Sequence, residues 1–190
     1  MSTGSEATVR QGMPGLLLGM IIFITSEIMF FGGLFGAYFS LRAGADVWPP
    51  DGIEVERLIP SLLTVVLLAS SATVHNATAA ARRNDGRTLR RTLGATIALG
   101  LLFLAGQAFE YSRLDFVAGD GAFASTFYAT TGFHGLHVLI GVIILALARF
   151  ELGRRGPDSR QLGRVEAAAY YWHFVDAVWI IVFTSIYLIQ

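Results

Sequence analysis

The chain alternates between long apolar runs and short polar connections. Five runs reach the roughly 20 mostly apolar residues that a helix needs to cross a bilayer. They cover residues 14–41, 58–81, 89–111, 123–148 and 165–189. The runs are continuously apolar, whereas strands of a membrane barrel alternate, and lipid requires each segment to satisfy its own backbone hydrogen bonds. The sequence therefore predicts an all-α fold, a polytopic membrane helical bundle with five transmembrane helices.

The connections between these runs carry residues that end helices. Residues 48–52 (WPPDG) predict a turn, because proline and glycine break a helix here. Residues 84–86 (NDG) predict a tight turn between the second and third helices, and residues 156–158 (GPD) predict another before the fifth. Because the five runs occupy most of the chain, we expect residues 1–190 to form a single membrane domain.

Basic residues are distributed unevenly between the two ends of the predicted bundle. All 14 basic residues are arginines, and most flank the first span, the second connection or the fourth connection: Arg10, Arg82, Arg83, Arg87, Arg90, Arg91, Arg149, Arg154, Arg155, Arg160 and Arg164. With five spans these regions lie on one side, and the other side holds Arg42, Arg57 and Arg113. The positive-inside rule then predicts a cytoplasmic N-terminus and a C-terminus outside. The clusters adjoin apolar spans, so we expect no nucleic-acid partner.

Ionisable residues inside the spans are the candidates for chemistry. The charged fraction of 15% is well below the about 25% typical of soluble domains, yet several charged or titratable side chains fall within apolar runs, where each costs several kcal/mol unless it is paired or hydrated. We select seven as functionally sensitive: Glu27, His75, Glu110, His134, His137, His173 and Asp176. The absence of cysteine excludes disulfides, thiolate metal sites and cysteine nucleophiles.

Helical spacing groups these polar residues into stripes that predict a bundle interior. His134 and His137 are three residues apart, which predicts a shared face. Three further stripes follow helical spacing: Thr64, Ser71, His75 and Thr78; Gln107, Glu110 and Arg113; and Glu166, Tyr170, His173 and Asp176 or Ala177. Polar stripes on several helices indicate faces directed towards protein and away from lipid.

Three hypotheses for these residues stay open on the residues alone. The histidines could ligate a metal or haem, although no HxxxH or HExxH spacing is present. Glu27 and Asp176 could carry protons, since a carboxyl group in apolar surroundings can remain protonated and exchange a proton near neutrality. Alternatively, each polar group could hydrogen-bond to another helix and fix the packing, which is the usual role of buried polar groups.

Four local sequences carry a resemblance to a known family, in the family's order and over nearly the whole chain. They are residues 23–31 (FITSEIMFF), 106–111 (GQAFEY), 126–138 (TFYATTGFHGLHV) and 171–179 (YWHFVDAVW). Together they resemble subunit III of the haem–copper cytochrome c oxidases. The chain is thereby identified as similar to the short, five-helix bacterial type of that family.

The resemblance implies a supporting role in a proton-pumping terminal oxidase that reduces oxygen to water in aerobic respiration. It implies that this chain has no catalytic, metal-binding or cofactor-binding residue and that haem and copper belong to partner subunits. The expected partners are subunit I as the main contact, subunit II, other subunits and membrane lipids, with bound phospholipid as a further ligand. The expected location is the bacterial inner membrane. The implied role is to keep proton uptake into subunit I fast and to protect it during turnover.

One departure from the family, one distinguishing dipeptide and two alternatives accompany the resemblance. Longer family members have two helices before the glutamate-bearing one; this sequence lacks them, so the resemblance does not extend to the lipid cleft they form. Quinol-oxidase relatives tend to carry Ser-Asp where this chain has Ser26-Glu27, which favours a cytochrome c oxidase. The alternatives are a related protein associated with nitric oxide reductase and, outside the family, a small membrane transporter. Glu27 is the residue for which we most expect a functional role.

Overall fold

Five long helices account for almost all of the part of the chain that the structure describes. The structure is a computed structural model that describes residues 15–53, 55–155 and 159–189. The helices are α1 (Gly15–Ala43), α2 (Leu58–Arg82), α3 (Gly86–Tyr111), α4 (Ala122–Arg155) and α5 (Ser159–Phe183), and α5 continues into one π-helical turn, Thr184–Leu188. All five are long and apolar enough to cross a membrane. The all-α fold with five transmembrane helices is therefore confirmed.

The fifth helix forms the centre of the bundle. It packs against α1, α2 and α4, while α2 packs against α3 and α3 against α4. The indole of Trp172 on α5 is fully buried and its Nε1 donates a hydrogen bond to Ser70 Oγ on α2 at 2.9 Å. α1 lies on α4 and α5 with Phe31 and Tyr38 as its buried residues, so most of its surface faces outward.

The helix ends follow local chemistry more closely than hydropathy. Asp85 caps α3 by accepting a hydrogen bond from the Thr88 N–H at 3.1 Å, and this bond lowers the pKa of the Asp85 carboxyl. Asn84 before it has φ of 54°, which asparagine tolerates better than most residues. The predicted turn at residues 84–86 is thus confirmed, with α3 beginning at Gly86.

The fourth connection is shorter than the sequence predicted. The apolar run ends near residue 148, but α4 continues to Arg155 and α5 begins at Ser159. Helical hydrogen bonding does not require apolar side chains, so both helices extend beyond the hydrophobic spans. The predicted 156–158 turn lies outside the described residues, as does Arg10.

The connection between α1 and α2 packs back onto the bundle end. Trp48 Nε1 donates to the Tyr38 hydroxyl at 3.0 Å, and that hydroxyl donates to the Ser185 carbonyl oxygen at 2.9 Å. The Trp48 ring also lies edge-on to Phe123, with centroids 5.3 Å apart. These contacts tie α1, α4 and the end of α5 together at the side predicted to be outside.

Candidate functional site

Glu27 and His137 form the one pair of predicted site residues that the described part of the chain joins directly. Glu27 on α1 and His137 on α4 are linked by a contact of 2.9 Å between Oε2 and Nε2. His137 Nδ1 lies 2.7 Å from the Phe133 carbonyl oxygen. A carbonyl can only accept, so Nδ1 must carry a hydrogen and donate it.

This tautomer leaves one proton between Nε2 and the carboxyl group. Either Glu27 is protonated and donates to a neutral imidazole, or the ionised Glu27 accepts from an imidazolium. In both forms the pair has no net charge, which is the least costly arrangement for two titratable groups within a membrane. The geometry therefore creates a proton-sharing pair whose proton can lie on either residue without a change in total charge.

Aromatic side chains fix the imidazole in place. The Phe31 ring meets it edge-on at 5.0 Å between centroids, and the Phe30 ring stacks against it at 6.3 Å. The Tyr171 hydroxyl donates to the backbone carbonyl of His137 at 3.1 Å. These neighbours exclude water from one side of the pair and strengthen its electrostatic interaction.

The other side of the pair opens towards the outer face of α1. The Glu27 side chain is 18% exposed, against 9% for His137. The adjacent hydroxyls do not compete for it, since Thr25 and Ser26 donate to backbone carbonyls of their own helix. Glu27 is consequently accessible to a neighbouring molecule, while His137 is enclosed by its own bundle.

His134 lies close to His137 on α4, as their spacing predicts, but its ring has different surroundings. The His134 ring is fully buried between Trp179, 4.9 Å away, and Phe103, 5.6 Å away. Neither ring nitrogen has a hydrogen-bond partner among the described residues. A separation of three residues rotates the side chain by about 60° about the helix axis, which suffices to place the two rings against different helices.

A third polar group joins α3 to the end of α5. Glu110 accepts a hydrogen bond from the Tyr187 hydroxyl at 2.9 Å, and its second oxygen has no partner within the described ranges. One helical turn earlier, Gln107 is buried without a described hydrogen-bond partner. Both therefore require water or a further polar partner within the bundle to satisfy their remaining groups.

The seam between α2 and α5 contains the other predicted residues. Ser71 and His173 share a hydrogen bond of 2.8 Å, and Asp176, one turn further along α5, is buried. Neither Asp176 oxygen has a hydrogen-bond partner at ordinary distance among the described residues, although Ser71 lies close enough to interact with it. His75 is exposed and lines a cavity of about 350 Å³ together with His173.

The polar stripes predicted on α2 and α5 do face each other. Thr64 accepts from Trp179 Nε1 at 2.9 Å, and Arg82 pairs with Glu166 at 3.1 Å near the other end of the seam. Arg113 on α3 is exposed and lies over the Phe109 ring. Within the described ranges no three His, Asp or Glu side chains gather closely enough to hold a metal ion.

The tyrosine hydroxyls that donate hydrogen bonds to His137 and Glu110 were not predicted from the sequence. Tyr171 and Tyr187 are fully buried and hydrogen-bonded, whereas the adjacent Tyr170 is 52% exposed. Helical spacing does not separate the two tyrosines, because Tyr170 and Tyr171 lie four residues before Phe174 and Val175, which are both buried. The hydrogen-bond partners themselves depend on which helices are neighbours.

Comparison with known proteins decides the family. The sequence model of cytochrome c oxidase subunit III matches residues 3–190. The chain belongs to the cytochrome c oxidase subunit III family. A cytochrome c oxidase subunit 3 from Thermostichus vulcanus is 41% identical over 91% of this chain and 87% of its own length. The Synechocystis protein of the same name is 42% identical over 98% of this chain and 82% of its own length.

Subunit III relatives extend to animals. The carp (Cyprinus carpio) cytochrome c oxidase subunit 3 is 44% identical over 91% of this chain and 69% of its own length. The predicted family and the subunit III role are confirmed, and the chain is a component of an oxidase complex. These relatives carry the cytochrome c oxidase name, so the hypotheses of a nitric-oxide-reductase-associated protein and of a small transporter receive no support from them.

Proposed function

We propose that this subunit III packs against the haem-bearing subunit I of a proton-pumping oxidase in the bacterial inner membrane. In this proposal the chain has no catalytic centre, and the haem and copper belong to partner subunits, including subunits I and II. Its N-terminus is cytoplasmic, as the arginine distribution predicts. Its contribution is to sustain proton uptake and to protect subunit I during turnover.

The single observation that supports this proposal is that the Glu27 carboxyl group of the Glu27–His137 pair is accessible from outside the bundle. A carboxyl group directed from a transmembrane helix towards hydrocarbon is costly, and such groups normally face protein or water. Glu27 lies on α1, the helix with the largest outward surface, and its partner histidine is enclosed behind it. We therefore assign the Glu27 side of α1 to the contact with subunit I.

Two substitutions at Glu27 separate proton exchange from packing. In Glu27→Gln, the amide N–H can still donate to Nε2 of the Nδ1–H tautomer, so the contact remains but its exchangeable proton is lost. Glu27→Ala removes both the contact with His137 and the exchangeable proton. If the pair supports proton uptake, both variants of the assembled oxidase should take up protons more slowly and inactivate after fewer turnovers than the parent.

The matched control is Asp46→Asn, which neutralises an exposed carboxylate beyond the end of α1. It should leave proton uptake and catalytic lifetime unchanged. Normal behaviour of Glu27→Gln beside an impaired Glu27→Ala would limit the pair to packing and contradict the proton-uptake role. Normal behaviour of both variants, with full retention of the subunit in the purified complex, would contradict the contact with subunit I as well.

A further inference from the structure

The central helix α5 is exposed along one narrow stripe. Between Val165 and Val182 its exposed residues follow helical spacing: Tyr170, His173, Ala177, Ile180 and Ile181. The other residues of this stretch are buried, apart from the partly buried Glu166. Positions three and four residues apart lie on the same side of a helix, so α5 presents a single strip to its surroundings. We refer to this strip as the α5 stripe.

The α5 stripe forms the floor of a groove between α2 and α1. On one side of it, Ser71 of α2 shares a hydrogen bond of 2.8 Å with His173. On the other side, the Phe31 ring of α1 meets the Phe174 ring of α5, with centroids 6.4 Å apart. Because the stripe is exposed between these two contacts, none of the described helices covers the groove.

One half of the groove is polar although it lies within the spans. His75 and His173 interact electrostatically and line a cavity of about 350 Å³ together with Tyr170. The Arg82–Glu166 ion pair also lines this cavity, and His173 lies about 10 Å further along α5 than Glu166. Hydrocarbon offers an imidazole no hydrogen bond, so polar side chains at this depth normally face protein or water.

The other half of the groove floor is small and apolar. Ala177 follows His173 by one turn and lets the backbone of a neighbouring helix approach closely, as small residues do in membrane bundles. Ile180 continues the stripe to about 10 Å beyond His173. Water can fill the polar cavity, but it does not follow an apolar groove into hydrocarbon. The whole stripe, polar and then apolar over about 20 Å, therefore fits the side of another transmembrane helix.

We propose that a transmembrane helix of a partner subunit of the oxidase lies in this groove along the α5 stripe. Its chemistry is set by the floor: a hydrogen-bonding side chain level with His75 and His173, a small residue opposite Ala177, and apolar residues beyond. The proposal deepens the proposed function and rests on its assembly with partner subunits. It uses a different face, because Glu27 pairs with His137 of α4 whereas the groove lies on the α2 side of α5.

Photocross-linking in the membrane-embedded oxidase tests what occupies the groove. Ile180 is replaced with p-azidophenylalanine, and the same replacement of Leu102, which is similarly exposed on α3, is the matched control. Illumination should attach position 180 to a partner subunit in at least tenfold higher yield than position 102, as measured by mass spectrometry of the cross-linked peptides. Attachment to lipid alone would overturn the proposal, and attachment to a second copy of this chain would exclude a partner subunit as the occupant.

Two substitutions measure how strongly the groove holds its partner, through the rate at which this subunit dissociates from the oxidase in detergent. His75→Leu should dissociate about threefold faster, the equivalent of one interhelical hydrogen bond, whereas leucine facing lipid would not accelerate dissociation.

Ala177→Trp should dissociate at least tenfold faster because it fills the groove, and Ala98→Trp, at an exposed alanine of α3, should behave like the parent. Parent-like rates for both groove variants beside faster loss of Glu27→Ala would overturn the groove and leave the α1 contact intact. The reverse pattern would support the groove and contradict the α1 contact.

Discussion

The Trp172 ring lies closely packed between Gly141 and Gly100, and this close contact gives a quantitative test of the bundle packing. A Cβ on Gly141 would lie 2.8 Å from Trp172 Cε3, about 0.7 Å closer than the roughly 3.5 Å of an ordinary carbon–carbon contact. The ring has little room to retreat, since a Cβ on Gly100 at its far side would lie 2.6 Å from Cη2. We expect Gly141→Ala to introduce overpacking that costs about 1–3 kcal/mol.

Alanine also favours a helix over glycine, by up to about 1 kcal/mol, so a second substitution on α4 is needed to isolate the clash. Gly132→Ala is suitable, because the nearest atom to its Cβ is the Tyr111 hydroxyl at 3.8 Å. The difference between the two variants should equal the overpacking cost. For a chain of this size each kcal/mol shifts the thermal midpoint by about 2–4 °C.

The assay heats the purified complex in detergent and measures the fraction of this subunit that remains folded and bound. Gly141→Ala should have a midpoint at least about 2 °C below that of Gly132→Ala. In a double-mutant cycle, Gly141→Ala should cost less beside Trp172→Phe than beside Trp172, because the smaller ring leaves space for the methyl group. Equal midpoints for the two glycine variants would refute the conclusion that the Trp172 ring leaves no room for a methyl group at Gly141.

Three further outcomes follow from single contacts. Tyr187→Phe removes the described donor to Glu110 and should destabilise the subunit by about 1–3 kcal/mol in the same thermal assay, since it leaves a buried acceptor unpaired. Trp179→Phe removes the hydrogen bond to Thr64 and should show a coupling of about 0.6 kcal/mol with Thr64→Val in a double-mutant cycle. Asp85→Ala should lower the midpoint at neutral pH; because folding lowers the pKa of Asp85, the part of the difference that depends on the ionised carboxylate should begin to shrink as the pH falls past about 3.9 and be lost below the lowered pKa.

The number and type of helices could be predicted because a bilayer imposes a length and a polarity on every span. The apolar run at residues 123–148 identifies α4, but not its continuation to Arg155, where the helix leaves the membrane and hydropathy carries no further signal. The tight turn at residues 84–86 was predictable because asparagine, aspartate and glycine each have a local reason to end one helix and begin the next.

Which polar groups meet could be predicted only in part. The polar stripes on α2 and α5 follow from helical spacing, but their facing each other, with Ser71 hydrogen-bonded to His173, is known only from the structure. The partner of His137 could not be predicted, since it depends on α1 lying beside α4, an arrangement set by packing across the whole bundle. For the same reason the sequence does not distinguish the buried Tyr171 from the exposed Tyr170, which are adjacent in a similar apolar context.

Position within the bundle separates Glu27 from the buried acids Asp176 and Glu110. Asp176 is enclosed along the α2–α5 seam, and Glu110 is held by Tyr187 from the end of α5. Glu27 combines a proton-sharing partner with an accessible carboxyl group on the outermost helix. A change in its protonation can therefore act directly on whatever covers α1. This asymmetry is the physical reason to seek the subunit's functional effect at Glu27 and a structural effect at the other two carboxyl groups.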